Sequence, residues 1–250
     1  MIILHGLLGC SDNWWTVAKD LSDDFEVFIP DQRNHGKSFH SPEIDYNLLA
    51  GDLYDFIELH SIKNPVLVGH SMGGKVVIKF LSMFPELASS AIVVDIAPKK
   101  YHFENPAAME IRSMVDAMIN LDMGMVKSLK DATALLKADI PNPMVLNFVL
   151  KNLERGNQND YFWRINIHAL RNNLFNFLES PFDNSFKGKI GVPTMFIRGA
   201  RSGYIQFEDF ELIKSFFLNS QIVTIPDASH WVHFEQRELL VDSFRLFIEE

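Results

Sequence analysis

Pro65-Val66-Leu67-Val68-Gly69-His70-Ser71-Met72-Gly73-Gly74-Lys75 is the stretch on which the reading of this chain turns. Val66, Leu67 and Val68 make a short, continuous apolar run, as buried parallel strands do. Residues 75–83 carry on as an apolar helical stretch. Between them a serine stands in G-x-S-x-G. A sharp strand-to-helix turn strains that central residue and projects its hydroxyl from the sheet edge. The flanking glycines are needed because neighbouring backbone passes too close for a Cβ. The helix that follows offers unbonded N–H groups and its positive dipole end to a developing oxyanion. Such strings arise by chance, but the strand before and the helix after make Ser71 a candidate nucleophile.

Outward from this turn, strand-like runs recur at residues 2–4, 26–30, 65–68, 91–94, 194–197 and 221–225. They alternate with helical patterns at 12–21, 46–59 and 235–248, which predicts an α/β fold: a mostly parallel sheet flanked by helices. From residue 99 to 187 the strand signals fade. Helical patterns rich in Met, Leu and Phe take over at 107–121, 126–138, 144–153 and 168–178. The expected organisation is a core of residues 1–98 and 188–250, with 99–187 as a helical cap insertion. The chain starts directly in a strand, so the hairpin that usually precedes it in this architecture is expected to be missing.

With 250 residues, 47% of them hydrophobic, the chain is long enough for one sizeable core. Its formal net charge of −9 disfavours phosphate backbones and anionic headgroups as partners. One cysteine, Cys10, rules out an intrachain disulfide and suits a reducing, cytoplasmic setting; no apolar run is long enough for a membrane span. No His and carboxylate spacing suggests zinc, so neither metal nor cofactor is expected. Nothing in the residues speaks to oligomeric state.

The strand–turn–helix around Ser71 resembles the nucleophile elbow of the α/β-hydrolase fold, and the remaining parts can be sought in the same order. His5-Gly6-Leu7-Leu8-Gly9 follows the first strand, where the N–H of Leu7 would join that of Met72 in an oxyanion hole; His5 would brace the loop. His230, in the loop after the last strand, is the expected general base, with His233 as its competitor. His35, His60, His102 and His168 lack partners that define a role. The loop after the penultimate strand has Gly203 where an aspartate often stands, and Glu208 and Asp209 read as helix-start acids. Asp227 has the offset of a turn residue. Asp95 ends the apolar run Ile92-Val93-Val94, a costly place for a carboxylate unless it is paired, and is the expected triad acid.

HGLLG, DQRNHGKS, GHSMGGK, VVDIAPKKY and SHWVHFE together resemble the YbfF-type esterases and the related abhydrolase-domain eleven hydrolases. The likeness extends over nearly the whole chain. It implies a triad aspartate at the position of Asp95 and a supporting serine at Ser202. It also implies a small-molecule substrate, a carboxylic ester or an acyl thioester of the acyl-CoA type. Phe148, Phe162 and Trp163 in the cap are candidates to line an acyl pocket, beside Leu170 and Phe175; they suit a cap core equally well. Two alternatives share these motifs: a meta-cleavage carbon–carbon hydrolase, and a non-catalytic ligand-binding protein of the same shape. A haloalkane dehalogenase would need an aspartate where Ser71 stands.

Overall fold

Ile2 and Leu4 pack into one apolar core and Ile3 into another, and this period-two split continues through the neighbouring strands. Leu67, Ala91, Val93 and Phe196 share the side of Ile2, while Val68, Ile92, Met195 and Ile197 share that of Ile3. Sheet residues buried on both faces are what the continuous apolar runs predict.

The computed structural model describes residues 1–102, 104–158, 160–183 and 186–249. The chain opens with β1 (Ile2–Leu4), α1 (Trp15–Leu21), α2 (Tyr46–Leu59), β2 (Val66–His70), α3 (Met72–Met83) and β3 (Ser90–Val94). Next come α4 (Pro106–Asn120), α5 (Leu129–Leu136), α6 (Pro143–Leu150), β4 (Leu153–Arg155) and β5 (Tyr161–Trp163). They are followed by α7 (Ile167–Asn172) and α8 (Leu174–Leu178). The chain closes with β6 (Thr194–Gly199), α9 (Asp209–Phe216), β7 (Ser220–Ile225), α10 (Val232–Glu235) and α11 (Arg237–Glu249). The main sheet runs β1-β2-β3-β6-β7 with every pairing parallel. All its C-terminal strand ends therefore lie along one edge. Val76, Phe80 and Leu81 of α3 and Leu49 and Leu53 of α2 fill one core; Trp14, Val17, Leu240 and Phe244 fill the other.

Three expectations change. Residues 26–30 contribute a single bridge, Phe28 to Ile2, rather than a strand. Pro30 has no N–H to extend the ladder, and Asp31 pulls the chain aside by accepting from the N–H groups of Ser11 (2.7 Å) and Lys37 (2.8 Å). The stretch 168–178 is two helices, broken at Asn173, whose side chain donates to Ala169 O and Pro42 O. The segment between β3 and β6 also holds the antiparallel β4–β5 hairpin, at a place where no strand is evident in the sequence.

Lys75 joins this helical segment to the sheet core. It belongs to α3 and is almost wholly buried, yet its ammonium donates to Phe177 O (3.3 Å), Leu178 O (3.3 Å) and Glu179 O (2.5 Å). These carbonyls close the C-terminal end of α8, where a cation is favoured. The ammonium also lies 4.9 Å from the ring centre of Tyr101. Burial lowers its pKa to about 7. Among the described residues no helix is long and apolar enough to cross a membrane, and none form a cluster of three or more His, Cys, Asp or Glu able to hold a metal.

Candidate active site

Ser71 stands between β2 and α3 with φ 53° and ψ −116°, a backbone region that costs a non-glycine residue about 1–3 kcal/mol. Its N–H is held by Val94 O at 3.0 Å. A Cβ on Gly69 would run into the Gly73 carbonyl, and one on Gly73 into the Leu4 carbonyl, so the tight turn requires both glycines. Met72 is the first residue of α3, and its N–H has no intrahelical acceptor. Opposite it, Gly9 N–H donates to Gly6 O at 3.0 Å and Leu8 takes φ 62°, which makes residues 6–9 a turn. The Leu7 amide takes no part in that turn's hydrogen bond.

Two buried histidines hold this turn. His5 Nδ1–H donates to Gly6 O (2.9 Å) while its Nε2 accepts from Gln32 N–H (3.1 Å), so the ring braces the loop as expected. His35 Nδ1–H donates to Arg33 O (2.9 Å) and its Nε2 accepts from Leu8 N–H (3.2 Å). In both cases burial pushes the pKa down, for His35 to about 3, and both rings stay neutral. His35, which has no evident role in the sequence, is thus part of the site's scaffold. The signal was its place in Asp31-Gln32-Arg33-Asn34-His35-Gly36, but the partner lies 27 residues away.

Asp95 follows β3 as Ser71 follows β2, and the register pairs the preceding residues, His70 with Val94. It too has a positive φ, 54°, and it is fully buried. Its Oδ1 accepts from Gly199 N–H at 3.0 Å. Its Oδ2 accepts from His230 Nδ1–H at 2.8 Å and from Ser202 Oγ–H. The paired carboxylate expected from the apolar strand is therefore present, and its partners are the expected histidine and serine. The other acids are engaged elsewhere. Asp209 binds Lys99 Nζ (2.5 Å) and caps Gln206 N–H; Asp227 has φ 54° in a turn whose carbonyl accepts from Arg201.

His230 is fixed on two further sides. Tyr204 stacks on its ring with centroids 3.9 Å apart. His70 Nε2–H donates to the His230 carbonyl at 2.9 Å, tying the residue before Ser71 to the histidine's own backbone. Trp231 beside it packs against Phe148 with ring centroids 4.5 Å apart. Burial holds the pKa of His70 well below its ordinary value and that of His233 at about 3. His233 stacks flat on Trp14, at 4.5 Å and 9°.

Two cavities meet at Ser71 and share Leu7, Ile111 and Tyr204 as walls. One continues past His230 to Phe148, Asn13, Trp14 and His233. The other continues past Met72 to Tyr46, Tyr101, Leu174 and Phe177. Phe148 is thus at the site. Phe162 and Trp163 are not among the described residues lining either cavity. Phe162 points outward from the β4–β5 hairpin and is 43% exposed, and Trp163 Nε1–H donates to Met118 O at 2.8 Å. Leu170 is fully buried and Phe175 exposed, and neither lines these cavities.

A family model described as alpha/beta hydrolase fold matches residues 1–236. An sn-1-specific diacylglycerol lipase ABHD11 from Danio rerio is 34% identical, covering all of this chain and 78% of that protein. Esterase YbfF from Escherichia coli K12 is 27% identical, covering all of this chain and 93% of its own. Among solved structures, a marine microorganism esterase superposes with a TM-score of 0.95 at 36% identity, covering 98% of this chain and 94% of that one.

Proposed function

Since this chain belongs to the α/β-hydrolase fold family, we propose that it is a serine hydrolase cleaving carboxylic esters or acyl thioesters through an acyl-enzyme on Ser71. The observation that carries this reading is the buried Asp95–His230 pair beside a strained serine on the same cavity. In its neutral form, with Nδ1–H donated to Asp95, the His230 imidazole carries its lone pair on Nε2 and can act as base.

In the first step Nε2 takes the Ser71 Oγ proton as the oxygen attacks the carbonyl carbon. The Leu7 and Met72 N–H groups receive the oxyanion. His230 then hands its proton to the departing alcohol or thiol, which leaves the acyl group on Oγ. Water, deprotonated by the same nitrogen, attacks the acyl carbon, and collapse of the second tetrahedral species returns the proton to Ser71. Asp95 stabilises the imidazolium in both halves, and Ser202 and Gly199 hold the carboxylate in place. Residues 99–187 act as a cap that supplies cavity walls through Ile111, Phe148 and Phe177.

A fluorophosphonate should label the wild type and leave Ser71→Ala untouched; labelling of Ser71→Ala at the wild-type rate overturns the proposal. A panel of p-nitrophenyl esters and acyl-CoA thioesters of graded chain length then separates ester from thioester preference. Turnover of vinylogous dienoates with indifference to the ester panel would replace the proposal by carbon–carbon bond hydrolysis.

A further inference from the structure

The cavity on the His230 side contains three buried polar nitrogens that the proposed chemistry does not use. Asn13 Nδ2, Trp14 Nε1 and His233 Nδ1 have no hydrogen-bond partner among the described residues, and all three residues line the cavity that also holds Ser71 and His230. Their exposures are 6%, 0% and 4%. Buried polar groups are nearly always bonded, so three orphans on residues that line one cavity mark a place where something polar belongs. An amide NH₂ and an indole N–H can only donate. What they lack is an acceptor.

The other cavity contrasts with this. Tyr46 Oη–H is spent on Phe177 O (2.8 Å), and Tyr101 Oη–H on Tyr204 O (2.6 Å), leaving walls of Ile96, Leu174, Phe177 and Leu178. The chemistry fixes which arm holds which half of the substrate. His230 must protonate the leaving oxygen or sulfur, and it lines only the first cavity of the two. The acyl chain therefore occupies the apolar arm and the leaving group the arm with the unpaired donors.

We propose that Asn13, Trp14 and His233 form a leaving-group subsite, selecting substrates whose alcohol carries a further oxygen acceptor beyond the scissile bond. This rests on the esterase reading above. A leaving group that fills the arm with carbon alone leaves the donors unpaired, and a site built to bond an oxygen discriminates against a substrate that lacks it. Asn13 is pre-set for the task, since its Oδ1 is already held by Cys10 N–H at 2.7 Å and its amide nitrogen is left over.

The test compares 2-hydroxyethyl butyrate with n-propyl butyrate, which have the same shape and differ by OH for CH₃. With kcat/KM normalised to each ester's alkaline hydrolysis rate, the wild type should favour the hydroxyethyl ester by about tenfold, the worth of one hydrogen bond to an otherwise unpaired group. Trp14→Phe keeps an aromatic side chain and loses the N–H; Asn13→Asp keeps the oxygen that binds Cys10 and loses the donor. Each should bring the ratio toward one. A wild-type ratio of one means that the nitrogens hold only a structural water, and overturns the proposal. So does a preference that survives both substitutions. Equal turnover of both esters that Ser71→Ala abolishes removes the subsite alone. If the wild type cleaves neither ester, or Ser71→Ala still does, the esterase reading fails and the subsite with it.

Discussion

Asp95→Asn is the substitution that separates the proposed triad from its rivals most sharply. Oδ1 receives Gly199 N–H at 3.0 Å, so an asparagine must keep its carbonyl oxygen on that side; turned over, it would set an NH₂ against an N–H. Its nitrogen then takes the place of Oδ2, 2.8 Å from His230 Nδ1. Ser202 adapts by turning its hydroxyl to accept. His230 has no such freedom: Nδ1 becomes the acceptor, the ring proton moves to Nε2, and the face toward Ser71 carries hydrogen instead of a lone pair. The imidazolium also loses its buried counter-charge. The same exchange in a serine protease lowers kcat by a factor on the order of 10⁴; at about 1.36 kcal/mol per tenfold that is roughly 5 kcal/mol of barrier. Because Asn matches Asp in shape, a thermal melt should show the fold intact. The assay is steady-state hydrolysis of p-nitrophenyl butyrate beside the rate of fluorophosphonate labelling, both expected to collapse. If Asp95→Asn stays within tenfold of wild type while Asp209→Asn or Asp227→Asn abolishes turnover, the proposed triad is wrong.

Ser202→Ala removes one charge-assisted hydrogen bond to Asp95 but leaves Gly199 and His230, so kcat should fall about tenfold with KM little changed; a loss as deep as that of Asp95→Asn would make Ser202 a member of the catalytic machinery proper. His35→Phe deprives Leu8 N–H of its acceptor, loosens the turn beside Leu7, and should lower kcat more than it raises KM; an unchanged kcat would detach the turn from oxyanion binding. His35 and His233 are held neutral by burial, with pKa values near 3 against an unfolded value of 6.5, so the unfolded chain binds more protons throughout that window. Stability is therefore complete above pH 6.5 and lost as pH falls toward 3, at up to about 1.4 kcal/mol per pH unit for each ring. Urea midpoints that stay flat from pH 7 to 4.5 would contradict this. Lys75, lowered from 10.5 to about 7, carries its full burial penalty below pH 7 and sheds it as pH rises to 10.5; the melting temperature of the wild type relative to Lys75→Met should climb over that range, and parallel curves would sink the argument.

The elbow was legible because its signal is local: a strand, two obligatory glycines and a helix within eighteen residues of sequence. Asp95 was legible for a different reason. A carboxylate ending Ile92-Val93-Val94 needs a partner, and strand order then leaves few places for one. Tyr204, His70 and His35 were not, because each acts through one contact across the fold: a stacked ring, a carbonyl 160 residues on, an amide 27 residues back. The β4–β5 hairpin is not legible, since three-residue strands are too short for period-two alternation to stand out from a helical pattern. Phe162 and Trp163 suit an acyl pocket and cap packing equally well as sequence; in the fold Phe162 is exposed on the β4–β5 hairpin and Trp163 packs against the core, because the hairpin turns successive side chains to opposite sides.

The single direction of the main sheet has a practical use. Every loop that carries a site residue leaves the strands at one edge, so the opposite edge is free to be engineered. Lys63, just before β2, and Lys187 and Lys189, ahead of β6, are exposed there. A bead tether, a reporter peptide or a fused domain attached at residues 63–64 or 187–189 would present the mouth of the molecule outward, in one orientation, with the whole thickness of the sheet between the graft and the chemistry.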